Sequence, residues 1–240
     1  MKTLSIVIPC YNEGEKLITN VGKVKEYLDT KLPECKYEII CVNDGSTDGK
    51  TAELFKTTKI DNVKFIGYDK NHGKGYAVKT GFENSNNEIL LFMDADLSVE
   101  LSAIKTILDN ADKADILIGS RHHKDTIIPI PQPPIRQFIG RSCIFITNFL
   151  THIGVKDTQC GFKSFKKEIA EKIIKKQQIE RWAFDVEYLY IAKLNKMSIL
   201  EIPVIWSDDS DSRVSPIKSS ISFFKELLKI RSNKKIYKNI

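Results

Sequence analysis

Asp94 and Asp96 stand either side of Ala95 at the end of the apolar run Glu88–Met93. Two carboxylates on a strand end are hard oxygen ligands of the kind that suits Mg2+ or Mn2+. The same acids could also cap the strand with no metal at all. Three further polar clusters follow apolar runs earlier in the chain: Tyr11-Asn12-Glu13 after Leu4–Pro9, Asn43-Asp44 after Tyr37–Val42, and Asp69 after Val63–Tyr68. Ligands of parallel sheets bind beyond the carboxyl ends of the strands, so the four clusters are expected to converge on one edge and form a site.

The elements that would carry them alternate. Leu17, Val21, Val24 and Leu28 recur at helical spacing between the first two strands. Lys50–Thr57 predicts a short helix with Ser46 or Thr47 as its N-cap, and the loop Asp69–Gly75 precedes another. Repeated β-α units predict an α/β fold: one mostly parallel mixed sheet flanked by helices, in a single domain. The second half is less regular. Thr126–Pro134 holds four prolines and reads as a long loop without a strand. Helices are expected over Arg136–His152, Phe184–Leu194 and Ile217–Ile230, and strands over Gly161–Phe165 and Ile199–Ile205. In the last helix Ile217, Ile221, Phe224 and Leu228 recur at helical spacing, Phe223 and Leu227 widen the stripe, and lysines flank it. That pattern divides the chain into a domain over 1–215 and an amphipathic basic helix and tail over 216–240. The helix either lies on a membrane surface or packs on the domain's own core.

The 240 residues are 42% hydrophobic and 28% charged, ordinary for a globular domain with a substantial core. No apolar run is long enough to cross a bilayer, and the first residues read as a strand, not a signal peptide. Five cysteines, an odd number without a CxxC pair, point to a reduced, cytoplasmic setting. The net charge of +6 is unevenly spread. Residues 1–120 carry 15 lysines, no arginine and 19 acids, whereas residues 121–240 carry 22 basic residues and 12 acids. The acidic half could hold a metal and the basic half could receive an anion or sit near an anionic surface. Most of the lysines read as solvated surface. Arginine, suited to bidentate phosphate recognition, falls wholly in the second half. No nucleic-acid partner is expected, and the sequence does not fix an oligomeric state.

A P-loop is the sharpest rival for the first half. Gly45-Ser-Thr-Asp-Gly49-Lys50-Thr51 follows a strand and opens a helix, but only three residues separate its glycines where the P-loop needs four. Asp44 and Asp48 would also bring negative charge to a phosphate cradle. There is no GxGxxG, because Gly73-Lys74-Gly75 is followed by Gly81.

Ser5-Ile-Val-Ile-Pro-Cys-Tyr-Asn-Glu13, Val42-Asn-Asp-Gly-Ser-Thr-Asp-Gly49 and Asp94-Ala-Asp-Leu-Ser98 occur in order, and together they resemble the family 2 glycosyltransferases of GT-A fold. Asp157-Thr-Gln-Cys-Gly-Phe-Lys163 and Arg181-Trp-Ala-Phe-Asp-Val-Glu187 resemble the dolichyl-phosphate β-glucosyltransferases within it. Gly119-Ser-Arg121 and Ser212-Arg213-Val214 have counterparts in polyprenyl-phosphate glycosyltransferases. The resemblance spans about residues 4–214. It implies an inverting, metal-dependent hexosyltransferase. Its donor would be a nucleoside-diphosphate sugar, UDP-glucose before GDP-mannose, held by Pro9, Tyr11, Glu13, Asp44, Asp69, Lys74 and Asp94-Ala95-Asp96. Asp94 and Asp96 would bind Mg2+ or Mn2+ and the donor diphosphate, with Ser98 where some relatives place a further ligand. Arg121, Arg136 and Arg213 would contact an acceptor phosphate, with Arg141 close to Arg136. Asp185 matches the position of the general base that a hydroxyl acceptor would require and an ionised phosphate would not; otherwise it is a buried acid at a helix N-terminus. A saccharide acceptor in cell-surface glycan synthesis therefore stays open. So does a non-catalytic sugar-nucleotide-binding protein, whose hallmark would be loss of the acid pair. These residues contain neither the N-terminal membrane helix nor the C-terminal spans of many such relatives, so a lipid acceptor would place the protein peripherally on the inner face of a membrane.

Overall fold

The computed structural model describes residues 2–208 and 216–240, the last stretch with its side chains from residue 222 onward. The first half alternates β1 (Thr3–Cys10), α1 (Glu15–Lys31), β2 (Lys36–Asp44), α2 (Lys50–Thr57), β3 (Val63–Tyr68), α3 (Lys74–Glu83), β4 (Ile89–Met93), α4 (Ser102–Asn110) and β5 (Ile116–Ser120). The second half contains β6 (Ile127–Ile130), α5 (Pro134–Thr151), β7 (Phe162–Lys166), α6 (Lys167–Ile174), α7 (Phe184–Leu194), β8 (Ile199–Pro203), β9 (Ile205–Ser207) and α8 (Pro216–Ser232). A 3-10 turn over Asn233–Lys235 follows.

Seven strands form one sheet in the order β3-β2-β1-β4-β7-β5-β8. All its pairings are parallel except those of β7, which runs antiparallel between β4 and β5. The expected mixed α/β architecture is therefore present. Central strands bury both faces. Along β1 and β4, Leu4, Ile6, Ile8, Ile89, Leu91 and Met93 join the core under α1 and α4, while Val7, Leu90 and Phe92 join the core under α3, α6 and α7.

Three local expectations differ from the structure. Thr126–Pro134 does contain a strand, β6, which pairs in parallel with β9 in a two-stranded sheet. Pro129 is tolerated there because a two-stranded ribbon leaves one edge of each strand without ladder partners. The predicted strand Ile199–Ile205 is two strands: the chain leaves the main sheet after Pro203, and the Ile127 amide donates to the Val204 carbonyl at 3.1 Å. Neither Ser46 nor Thr47 caps α2. Their hydroxyls accept from Asn12, and Asp48 takes the Thr51 amide at 3.0 Å instead.

α8 lays Phe223, Leu227 and Ile230 into the core shared with α7, and Tyr237 beyond it is fully buried. Phe224 and Leu228 face outward. The side chains of Ile217 and Ile221, which also belong to the predicted stripe, lie outside the described residues.

Candidate active site

The sheet order reverses beside β1, with β2 and β3 on one side and β4 on the other. A crevice at the carboxyl ends of β1 and β4 follows from that crossover. β4 delivers Asp94-Ala95-Asp96 into it. Asn20 of α1 donates to the Ala95 carbonyl at 2.8 Å, and the Ser98 amide donates to Asp96 Oδ1 at 2.9 Å. Leu97 takes a left-handed φ of 57° to close this turn. The loop leading into β7 lies directly on the acid pair: the Asp94 amide donates to the Gly161 carbonyl, and a Cβ at Gly161 would run into the Asp94 carboxylate.

Lys74 Nζ lies 2.5 Å from Asp94 Oδ1. Burial alone would lower the Lys74 pKa, but the Asp94 charge outweighs it and the ammonium is held above its ordinary range. Partial burial, followed by the charge of Asp94, pushes the Asp96 carboxyl up. The edge thus carries more negative charge than it neutralises, and an ammonium already stands beside one of its acids. Mg2+ and Mn2+ sites at phosphates need only one or two carboxylates, the rest of the shell being water and phosphate oxygen. Asp94 and Asp96 fit such an ion. Among the described residues no group of three or more His, Cys, Asp or Glu forms a self-sufficient cage.

Asp44 is buried at the end of β2 and organises the loop between β3 and α3. Its carboxylate accepts from Tyr68 Oη (2.9 Å), Asn71 Nδ2 (2.8 Å), the His72 amide (2.9 Å) and the Gly73 amide (2.9 Å). Gly73, at φ 115°, packs so closely on Glu180 and Arg181 that a Cβ would collide with them. Asp44 therefore sets the turn that presents Lys74 to Asp94. Pro9 is buried, whereas Tyr11 and Asp69 are exposed. Asn12 ties the Tyr11–Glu13 loop to the loop after β2, its Oδ1 accepting from the Thr47 amide at 2.7 Å.

Asp185, in the first turn of α7, is held by Lys163, whose Nζ donates to Oδ2 at 2.9 Å and to the Cys160 carbonyl at 2.5 Å. Lys163 is fully buried, and its ammonium also lies over the Phe92 ring at 5.5 Å. The Asp185 carboxylate is thus tied down in a buried ion pair at one of its two oxygens. Arg121 forms a second pair. Its Nε and Nη2 grip the buried Asp157 at 2.7 and 2.9 Å, and its plane lies over Trp206. Burial would raise the Asp157 carboxyl, but Arg121 overrides this and holds it down at about 2.

A cavity of about 180 Å3 lies beyond Arg121, lined by His122, Ile128, Gln137, Arg141 and Trp206 among others. Arg141, not Arg136, shares this cavity with Arg121; Arg136 points to Asp208 at 3.8 Å. Arg213 lies outside the described residues. A larger concavity, about 440 Å3, opens at the opposite end of the parallel strands among Lys2, Glu88, Asp112 and Lys166, away from every candidate group.

The strap that backs the site, residues 177–183, overlaps the Arg181–Glu187 motif, but its bracing role is visible only in the structure. Its Glu180 and Arg181 carbonyls accept the Tyr76 and Gly75 amides, bracing the Lys74 turn. Glu187 accepts from the Gln178 and Ile179 amides (2.8 and 3.0 Å) and from Tyr237 Oη (2.5 Å). Burial pushes the Glu187 carboxyl up to about 7 despite these bonds. From α8, Glu226 accepts the Trp182 and Ala183 amides at the N-terminus of α7. That motif was the sequence signal, and it says nothing of the strap's contacts with the Lys74 turn and α8.

Known proteins are similar to this chain in sequence and in fold. The sequence model described as Glycosyl transferase family 2 matches residues 5–174. A dolichyl-phosphate beta-glucosyltransferase of Trichomonas vaginalis is 34% identical over 221 residues, covering 88% of this chain and 65% of that protein. The Homo sapiens dolichyl-phosphate beta-glucosyltransferase is 35% identical over 243 residues, covering 96% and 75%. The chain thus spans 65% and 75% of the length of these two relatives. A glucosyl-3-phosphoglycerate synthase from Mycobacterium tuberculosis, solved with Mn2+, uridine diphosphate and glucosyl-3-phosphoglycerate, matches with a TM-score of 0.69 over 97% of this chain and 80% of that one. S. aureus TarS matches with a TM-score of 0.60 over 98% and 65%. At 12% and 18% identity these two speak for the GT-A fold alone. With a family match over most of its length and these relatives beside it, the chain belongs to glycosyl transferase family 2.

Proposed function

We propose that the protein transfers glucose from UDP-glucose to a dolichyl or other polyprenyl phosphate, with inversion at the anomeric carbon. The names of the relatives supply the acceptor class and the sugar. The observation that carries the reading is the Lys163–Asp185 pair. The one acid at the position of a base has its Oδ2 engaged by the buried Lys163 ammonium, an arrangement that suits an acceptor bringing its own ionised oxygen. A phosphate oxygen of the acceptor attacks C1 of the sugar, the bond from C1 to the donor diphosphate breaks, and the nucleoside diphosphate departs with the electron pair.

Asp94 and Asp96 would hold Mg2+ or Mn2+ with the diphosphate, and when bound the ion offsets charge on the leaving group. Lys74 adds a positive charge on the same side. Asp44 acts through the loop it fixes, so its contribution to donor binding is the position of residues 71–74. Arg141, with the outer face of Arg121, faces the acceptor phosphate from the cavity. Residues 1–215 form the transferase domain and 216–240 brace it. With a lipid acceptor and a nucleotide-sugar donor, the protein works at the cytoplasmic face of a membrane.

The test is a transfer screen of radiolabelled UDP- and GDP-sugars against polyprenyl phosphate, followed by organic extraction. Label from UDP-glucose should enter the organic phase only when the lipid phosphate is present. Transfer to a saccharide instead would require Asp185 to leave Lys163 and would overturn the acceptor assignment.

A further inference from the structure

α5 buries one side and leaves the other bare. Ile144, Thr147 and Thr151 are buried, whereas Ile135, Phe138, Phe145 and Phe149 are exposed by 65, 70, 71 and 70%. Spacings of three, seven and four place these four on one helix face, with Ser142 between them. A single exposed apolar residue is ordinary; three phenylalanines sharing one face are not. The patch extends beyond the helix. Ile127, Ile128 and Ile130 of β6 are exposed just before it, and Phe224 and Leu228 are exposed on α8, which packs against α5.

Charge narrows the occupant. From Thr126 to Lys156 the sequence contains no Asp or Glu, while Arg141 and Lys156 are basic and Arg136 turns away to Asp208. A second copy docking through the same face would set these cations against their own images with no carboxylate from this stretch to meet them. An anionic lipid surface complements both the apolar stripe and its basic rim. The patch is also continuous with the cavity, since Ile128, Gly140, Arg141 and Ile144 line it. No helix among the described residues is long and apolar enough to cross a membrane, so the contact would be parallel to the surface.

We propose that the exposed face of α5, together with the isoleucines of β6, lies in the interfacial layer of an anionic bilayer and turns the Arg121–Arg141 cavity toward it. This rests on the reading of the acceptor as a lipid phosphate. α5 is the inserting element, and α8 contributes only the outward Phe224 and Leu228.

The experiment is co-sedimentation of the full chain with phosphatidylcholine vesicles, with and without phosphatidylserine, using Phe145→Asp/Phe149→Asp as the variant. Both side chains are exposed, so the variant should keep its circular dichroism spectrum. The intact chain should bind the anionic vesicles, and the variant should bind about tenfold or more weakly. Transfer to acceptor embedded in vesicles should fall in parallel, while transfer to a short-chain, water-soluble isoprenyl phosphate should not change. As an independent readout, Phe149→Trp should show blue-shifted emission on anionic vesicles and quenching by brominated lipid. Equal vesicle binding by intact chain and variant, or an indole at position 149 whose emission stays that of water, would overturn the inference. So would a dimer by sedimentation equilibrium that the double substitution dissolves. If the chain binds vesicles through this face yet transfers to no isoprenyl phosphate, the membrane contact stands and the acceptor reading falls.

Discussion

The two flanks of the site neutralise their buried carboxylates differently. On the β1–β2–β4 flank, Asp44 is held by two backbone amides, a phenol and a carboxamide, with no cation among those partners. On the β5–β7–α7 flank, Asp157 and Asp185 each face a basic side chain, Arg121 and Lys163. Dipoles can satisfy a carboxylate while leaving its charge in place; an ion pair cancels it. The first flank therefore stays negative, which on the proposed function suits a cation that arrives with a diphosphate. The second is neutral at its base, and Arg141 adds a cation to the wall of its cavity, which on the proposed function would meet an anionic acceptor. Lys74–Asp94 is the seam between them.

The largest effect should come from unpairing the second flank. Asp157→Ala leaves the Arg121 fork buried without its acid and should cost ~3–5 kcal/mol by chemical denaturation. Asp44→Ala strands only hydrogen-bond donors that water can reach in part, and should cost ~1–3 kcal/mol. Equal costs would dissolve the distinction between the flanks. Asp96→Ala should leave the melting temperature nearly unchanged yet lower transfer by ~1,000-fold, about 4 kcal/mol in the barrier. Chelation should do the same to the unaltered protein, with recovery on adding Mg2+ or Mn2+. Arg141→Ala should raise the acceptor KM roughly 30- to 150-fold, about 2–3 kcal/mol, and leave the donor KM alone. Equal shifts in both constants would place Arg141 on the donor.

The flanks should also differ in pH dependence, which has opposite sign at two acids. The Asp157 carboxyl is depressed to about 2 by Arg121, so its contribution to stability is complete above its unfolded pKa of about 3.9 and is lost as pH falls toward 2. The Glu187 carboxyl is raised to about 7 by burial, so its contribution is complete below its unfolded pKa of about 4.3 and is lost as pH rises through 7. Between those limits the chain should lose on the order of 3–4 kcal/mol that Glu187→Gln does not lose. Denaturation at several pH values measures the difference, and parallel curves for the two proteins would remove Glu187 as its source.

The first flank was legible because parallel strands put chemistry at their ends. Cys10, Asp44 and Met93 close β1, β2 and β4, and each is followed or matched by a polar cluster named from the sequence. The second flank was less so. Arg121 was singled out for phosphate, but its fork goes to Asp157, 36 residues on, a pairing that no local pattern encodes. Arg136 and Arg141 sit five residues apart on one helix, and only the packing of α5 decides that Arg141 reaches the cavity. β6 was hidden by its prolines, and α4 and α6 carried no motif to draw notice. Glu187 and Glu226 carried no role from the sequence because the amides they accept lie in the strap, outside their own helices.

Tyr237 gives the fold an order in time. Its hydroxyl reaches Glu187, which carries the amides of Gln178 and Ile179, and the strap beyond them accepts the amides of Gly75 and Tyr76 beside Lys74. During synthesis β1–β4 and their helices can emerge and pack long before residue 237 has left the ribosome, since early segments fold as they appear. The Lys74 turn they contain would still lack its brace. A nascent chain therefore holds Asp44, Asp94 and Asp96 before the turn beside them is braced, and the brace arrives only once Tyr237 has emerged.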